Sequence, residues 1–202
     1  MKKSYSNFTV EDIRSLGLSV IDGVLFEAFA DVAPSSLLLQ VLEAYKGVPA
    51  QTEKAKSEIL INPLINEVRR KNPKKMTYFS GYQFNVDEKR GLKGFCDFII
   101  SQKYNAVFVE SPILAVVEAK HNQDLLDATP QCIAEMYAAQ LFNERRDAPQ
   151  AFTFGAVTNG YEWLFLKLED NLVTIDAERF VLNNLPRLLG VWQKIIDSFG
   201  EN

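Results

Sequence analysis

The chain has 202 residues, 47% hydrophobic and 24% charged, enough to bury one core without staples. Its 22 basic and 26 acidic residues leave a net charge of −4. That balance argues against a dedicated coat for duplex DNA, whose affinity rests on phosphate neutralisation, yet it leaves room for a cation site rich in acids.

Met1 to Asn7 is not followed by an unbroken apolar run, so no signal peptide is expected. No later apolar stretch is long enough to span a bilayer, and a cytoplasmic setting is the expectation. Thr9-Val10-Glu11-Asp12 reads as a helix start, with a Thr cap and acids in the first turn. Ile21, Val24, Leu25 and Ala28 follow helix-like spacing, with a strand not excluded. Leu37, Leu38, Val41, Leu42 and Tyr45 after Pro34-Ser35-Ser36 repeat at i, i+3, i+4. Residues 1–50 are therefore expected to form a helical extension packing on a core built from 51–202.

A second helix should begin near Thr52, with its stripe at Ile61, Leu64, Ile65 and Val68 and its end at Arg69-Arg70-Lys71. Pro63 either kinks it or sits at the first position of a fresh helix capped by Asn62. Strands are expected at Tyr78 to Val86, Phe95 to Ile100 and Ile113 to Lys120, the last apolar on both faces and so interior to a sheet. A helix from Pro130 to about Asn143 follows, and its crossover should add a parallel strand. Phe152 to Val157 and Trp163 to Leu168 flank Asn159-Gly160, a hairpin signal. Ile175 to Phe180 and a closing helix from Leu185 complete an α/β domain: a central mixed sheet flanked by helices in three layers.

Three charges interrupt this apolar pattern. Asp97 lies inside one strand, and Glu118 and Lys120 end another, two residues apart and so on one face. If these strands pair as neighbours, Asp97 comes beside Glu118. Buried like charges need a partner, and oxygen donors from Asp97, Glu118 and the Ala119 carbonyl suit Mg²⁺ or Mn²⁺. Lys120 would position a water or meet developing phosphate charge, chemistry that suits phosphodiester hydrolysis. Glu58, three residues before Ile61, is expected on the inward stripe of its helix, as a support to the metal ligands or a ligand of a second metal.

Lys56-Ser57-Glu58 with Ile59 to Leu64, then Gly94-Phe95-Cys96-Asp97, then Val116-Val117-Glu118-Ala119-Lys120, resembles the PD-(D/E)xK nuclease superfamily. The likeness is nearest to the N-terminal nuclease domains of type I restriction enzyme R subunits and related small bacterial proteins, and it covers about residues 52–168. The resemblance implies a restriction-endonuclease-like core and a Mg²⁺-dependent nuclease acting on DNA in preference to RNA. It implies metal binding by Glu58, Asp97 and Glu118, with Lys120 assisting the attacking water and Gln131 on the next helix in support. Some relatives carry a tyrosine four residues after that glutamine, where this chain has Glu135.

Competing readings are simpler. Asp97, Glu118 and Lys120 could form a plain buried ion-pair cluster, Glu58 a dipole-favoured helix acid, and Gln131 a backbone cap. His121 reads as a surface residue, Asp87-Glu88-Lys89 as a solvated turn, and Cys96 and Cys132 as small core residues. With no CxxC pair and one histidine, a His-based zinc cage is excluded. The run Arg69 to Lys75, with Lys54, Lys56, Arg145 and Arg146, reads first as solvated helix ends and second as phosphate contacts. The rival function is a catalytically inactive nuclease-fold module that binds or regulates within a larger complex; a homodimer is equally compatible.

Overall fold

The computed structural model describes residues 3–121 and 124–200, so the outer limits of the expected segments 1–50 and 51–202 lie outside the described residues. Seven strands are described: β1 (Ser19–Gly23), β2 (Thr77–Gln83), β3 (Phe95–Ser101), β4 (Ile113–Ala119), β5 (Phe152–Thr158), β6 (Glu162–Glu169) and β7 (Leu172–Val181). They form one mixed sheet in the order β1-β7-β6-β5-β4-β3-β2. The helices are α1 (Val10–Ser15), α2 (Ser36–Ala44), α3 (Glu53–Lys56), α4 (Asn62–Lys71), α5 (Thr129–Glu144) and α6 (Leu185–Asp197).

Two antiparallel meanders, β2-β3-β4 and β5-β6-β7, are joined by α5, which brings β5 parallel to β4. The expected crossover is thus present, and the three-layer α/β architecture follows. One face of the sheet packs Ile99, Val116 and Val157 against α5 and the N-terminal residues Tyr5, Phe8 and Ile13. The other packs Phe98, Val117 and Phe165 against α4 and α6. Residues before 50 therefore contribute to both cores.

Two close approaches set the register of these layers. A Cβ added at Gly155, in mid β5, would come within 2.8 Å of Cys132 Sγ, so α5 lies directly on the strand. At the β5–β6 turn Gly160 has φ +87°, where glycine is favoured, and a Cβ there would meet Leu60 Cδ1 at 2.9 Å. Asn159 Oδ1 accepts from the Tyr161 and Glu162 amides, closing the hairpin that Asn-Gly predicts.

Two local expectations are corrected. The stretch around Ile21 is strand β1, paired in parallel with β7 at the sheet edge, so 1–50 is not wholly helical. Its sparse apolar spacing satisfies either period, and the free backbone edge of β7 decides. Pro63 stands in the first turn of α4, as one reading expects, but the residue before the helix is Ile61, in helical conformation, and Asn62 is not its cap. Ser57–Ile61 widens into a π-turn in which the Asn62 amide donates to the Ser57 carbonyl, five residues back. Because proline has no N–H to offer, the wide turn absorbs the missing bond and α3 runs into α4.

Candidate active site

The polar cluster lies where β4 leaves the sheet, at the carboxyl end of the parallel pair β4–β5. In α/β sheets such ends are where ligands bind. β4 is buried throughout, with Val117 and Ala119 on the α6 side. Glu118 and Lys120 project towards α5, as the period of two requires.

Asp97 stands one residue beyond the last β3–β4 ladder pair, Phe98 with Val117, and hence level with Glu118. Its Oδ2 accepts the Ala119 amide at 2.8 Å, which anchors the carboxylate beside the Glu118–Ala119 peptide. Glu118 is 3% exposed and its Oε1 lies 2.6 Å from Lys120 Nζ. Lys120 Nζ also donates to Gln131 Oε1 at 3.1 Å. Asp97, Glu118, Lys120 and Gln131, taken from three elements, therefore meet.

Glu58 does not join them as expected. Its side chain is 63% exposed and lies 3.8 Å from Lys54. The π-turn is the physical reason: a wider turn changes the angular step per residue, so three positions before Ile61 no longer falls on the inward stripe. Glu58 instead lines an open cavity of about 350 Å³ with Glu53, Ser57, Ser80 and Asp97. Glu53 was missed by sequence reading, although its charge reaches both Asp97 and Lys120.

Glu135, which marked a departure from the resemblance, is 0% exposed and sits within the cluster. Its Oε1 accepts from Gln131 Nε2 at 3.1 Å. The Glu118 charge raises its pKa, and its own charge raises the buried Cys96 thiol, so the three groups lie close together. Glu118 Oε2 and Glu135 Oε2 are buried and have no hydrogen-bond partner.

The electrostatics follow. Burial pushes Glu118 well above the usual carboxylate value, the Asp97 charge adds to this, and Lys120 opposes it. Burial raises Asp97 as well, against the Ala119 amide and the Lys120 charge. Glu135 is raised by burial and then by Glu118. Burial pulls Lys120 down, but Glu118, Glu53 and Asp97 outweigh it and leave the ammonium above its ordinary value.

Among the described residues no group of three or more His, Cys, Asp or Glu side chains is arranged to hold a metal ion. The donors that do fit a hard cation are two carboxylates, Asp97 and Glu118, with the Ala119 carbonyl and water. The unpartnered buried oxygen of Glu118 is the observation that favours one.

His121 is exposed, as expected, but its carbonyl accepts the Lys56 ammonium. Lys56 is buried and lies 5.7 Å from the centre of the Tyr161 ring, so it is not a solvated helix-end charge. Arg70 and Lys71 pair with the buried Glu67, each at 3.5 Å, and Lys75 pairs with Asp197 at 3.2 Å. Cys96 and Cys132 are free and buried. Among the described residues no helix is long and apolar enough to cross a membrane.

No protein-family model and no curated protein matches the chain.

Proposed function

We propose that the chain is a metal-dependent phosphodiester hydrolase of PD-(D/E)xK type, acting on DNA in the cytoplasm. The observation that carries this reading is the meeting of Asp97, Glu118 and Lys120 at the end of β4, with Asp97 also lining the neighbouring cavity. A bound Mg²⁺ or Mn²⁺ would supply Lewis-acid polarisation of the phosphate and a more acidic water. Asp97 and Glu118 would hold it, with Asp97 fixed by the Ala119 amide. Lys120 presents N–H donors towards the phosphate oxygens on which negative charge grows, and Gln131 keeps the ammonium turned to that side. Glu53 and Glu58 stand at the rim of the cavity and outside the donor set.

The test is incubation of plasmid and single-stranded DNA with the protein and Mg²⁺ or Mn²⁺, beside Asp97→Ala and Lys120→Ala. Cleavage by the wild type that both substitutions abolish is the expected result. Equal activity in all three proteins, or in none, overturns the reading.

A second reading has its own observation. Lys120 is already paired with Glu118 and Gln131, and Gln131 with Glu135, so the cluster holds together without a cation. That arrangement suits a nuclease-fold module that binds or regulates within a larger complex. Calorimetric titration with Mn²⁺ separates the two, since no heat at millimolar cation favours the module.

A further inference from the structure

The buried end of α5 holds a chain of hydrogen bonds whose direction is forced. Lys120 has only donors, so the Gln131 atom facing it must be the carbonyl oxygen. The amide nitrogen then faces away, and its partner at 3.1 Å is Glu135 Oε1. Gln131 and Glu135 are four residues apart on one face of α5, the spacing at which helix side chains meet. Removing the Glu135 acceptor frees the Gln131 amide to turn, and a turned amide would put N–H groups against the ammonium. Glu135 is itself fully buried, and the Gln131 amide is the hydrogen-bond donor its carboxylate meets.

A buried acid costs stability unless it is paired, and the same position filled by an apolar residue would pack without that cost. Simple packing therefore does not account for Glu135. We propose that Glu135 is a positioning residue: acting through Gln131, it fixes the Lys120 ammonium at the mouth of the carboxylate site, where the amine meets the substrate phosphate. This inference rests on the hydrolase reading for its consequence, but the hydrogen-bond relay itself can be measured without nucleic acid or metal.

The experiment uses lysine-selective ¹⁵N labelling and follows exchange of the Lys120 ammonium protons with water by NMR, in the absence of divalent cation. The signal is assigned by its loss in Lys120→Arg. Glu135→Met and Gln131→Met should each speed exchange by about tenfold, the effect of one lost charge-assisted hydrogen bond. The double variant should do no more than either alone, because both remove the same link. Glu135→Gln keeps a carbonyl acceptor for Gln131 and should restore exchange to within about twofold of wild type. A general loosening of the core would make the two substitutions multiply and would give no such rescue. If Glu135→Met fails to fold, Glu135→Leu removes the acceptor with a similar volume and is read in the same way. Unchanged exchange in Glu135→Met, no rescue in Glu135→Gln, or multiplied effects in the double overturns the relay whether or not DNA is cut. In the cleavage assay the relay predicts that Glu135→Met lowers kcat by about tenfold and changes KM by less than about twofold. An intact relay in a protein that cuts nothing overturns the hydrolase reading and leaves the relay standing.

Discussion

The two faces of β4 solve opposite problems with adjacent residues. Towards α6, Val117 and Ala119 join a core of Phe26, Trp163, Phe165, Phe180 and Trp192. Trp192 meets Trp163 and Phe165 edge-on, with ring centroids 5.9 and 5.4 Å apart. Towards α5, Glu118 and Lys120 enter a buried cluster that holds Glu135, Gln131 and Cys96. Burial stabilises the first face, whereas on the second it raises the energy of every carboxylate. Three acids gathered beside one strand at such cost are what the proposed hydrolase reading would account for, whereas the other face needs only packing.

The largest expected effect is on activity. Asp97→Ala or Lys120→Ala should reduce metal-dependent cleavage by about a thousandfold or more, while Asp97→Ala, which removes a buried charge beside Glu118, changes the unfolding midpoint in urea little. A matching collapse in stability would erase the contrast between the faces. On the other side, Trp192→Ala should cost about 3–5 kcal/mol, read by chemical denaturation, because it empties a well-packed aromatic site.

The next effect is pH-dependent. Glu118 is raised from 4.5 to about 7 in the folded protein. Between those values the folded state keeps a proton that the unfolded chain has released, so stability must fall as pH rises through this window and level off above it. The full drop is about 3 kcal/mol, measured by denaturation in chelator. Glu118→Gln should flatten the slope, and saturating Mn²⁺ should recover stability at neutral pH by binding the ionised form. Stability rising across the same window would contradict a buried acid at this position.

The smallest effect sharpens the site's edge. Glu53→Gln should weaken Mn²⁺ binding by about threefold at low salt, a difference that fades as screening increases. Glu58→Gln should leave calorimetric binding unchanged.

Much of this arrangement was written in local pattern. The period of two set Glu118 and Lys120 on one face, and the apolar runs around them marked interior strands. The Asn-Gly turn and the crossover helix then implied parallel β4 and β5. Glu58 was misjudged because the α-helical period was carried through a segment whose proline forces a wide turn. Glu53 was overlooked because a first-turn acid looks the same whether it faces solvent or a carboxylate. Glu135 registered as a missing tyrosine, since nothing local reveals which side chain a helix presses against a strand.

By itself the sequence determined the elements, their order and the shared face of two charges, because those depend on periodicity and short-range turn chemistry. Only the tertiary structure decided that residues near Ile21 become an edge strand, that Glu58 swings outward, and that Glu135 reaches Lys120 through Gln131. Those outcomes turn on contacts between segments far apart in the chain, where packing and hydrogen-bond direction override local spacing.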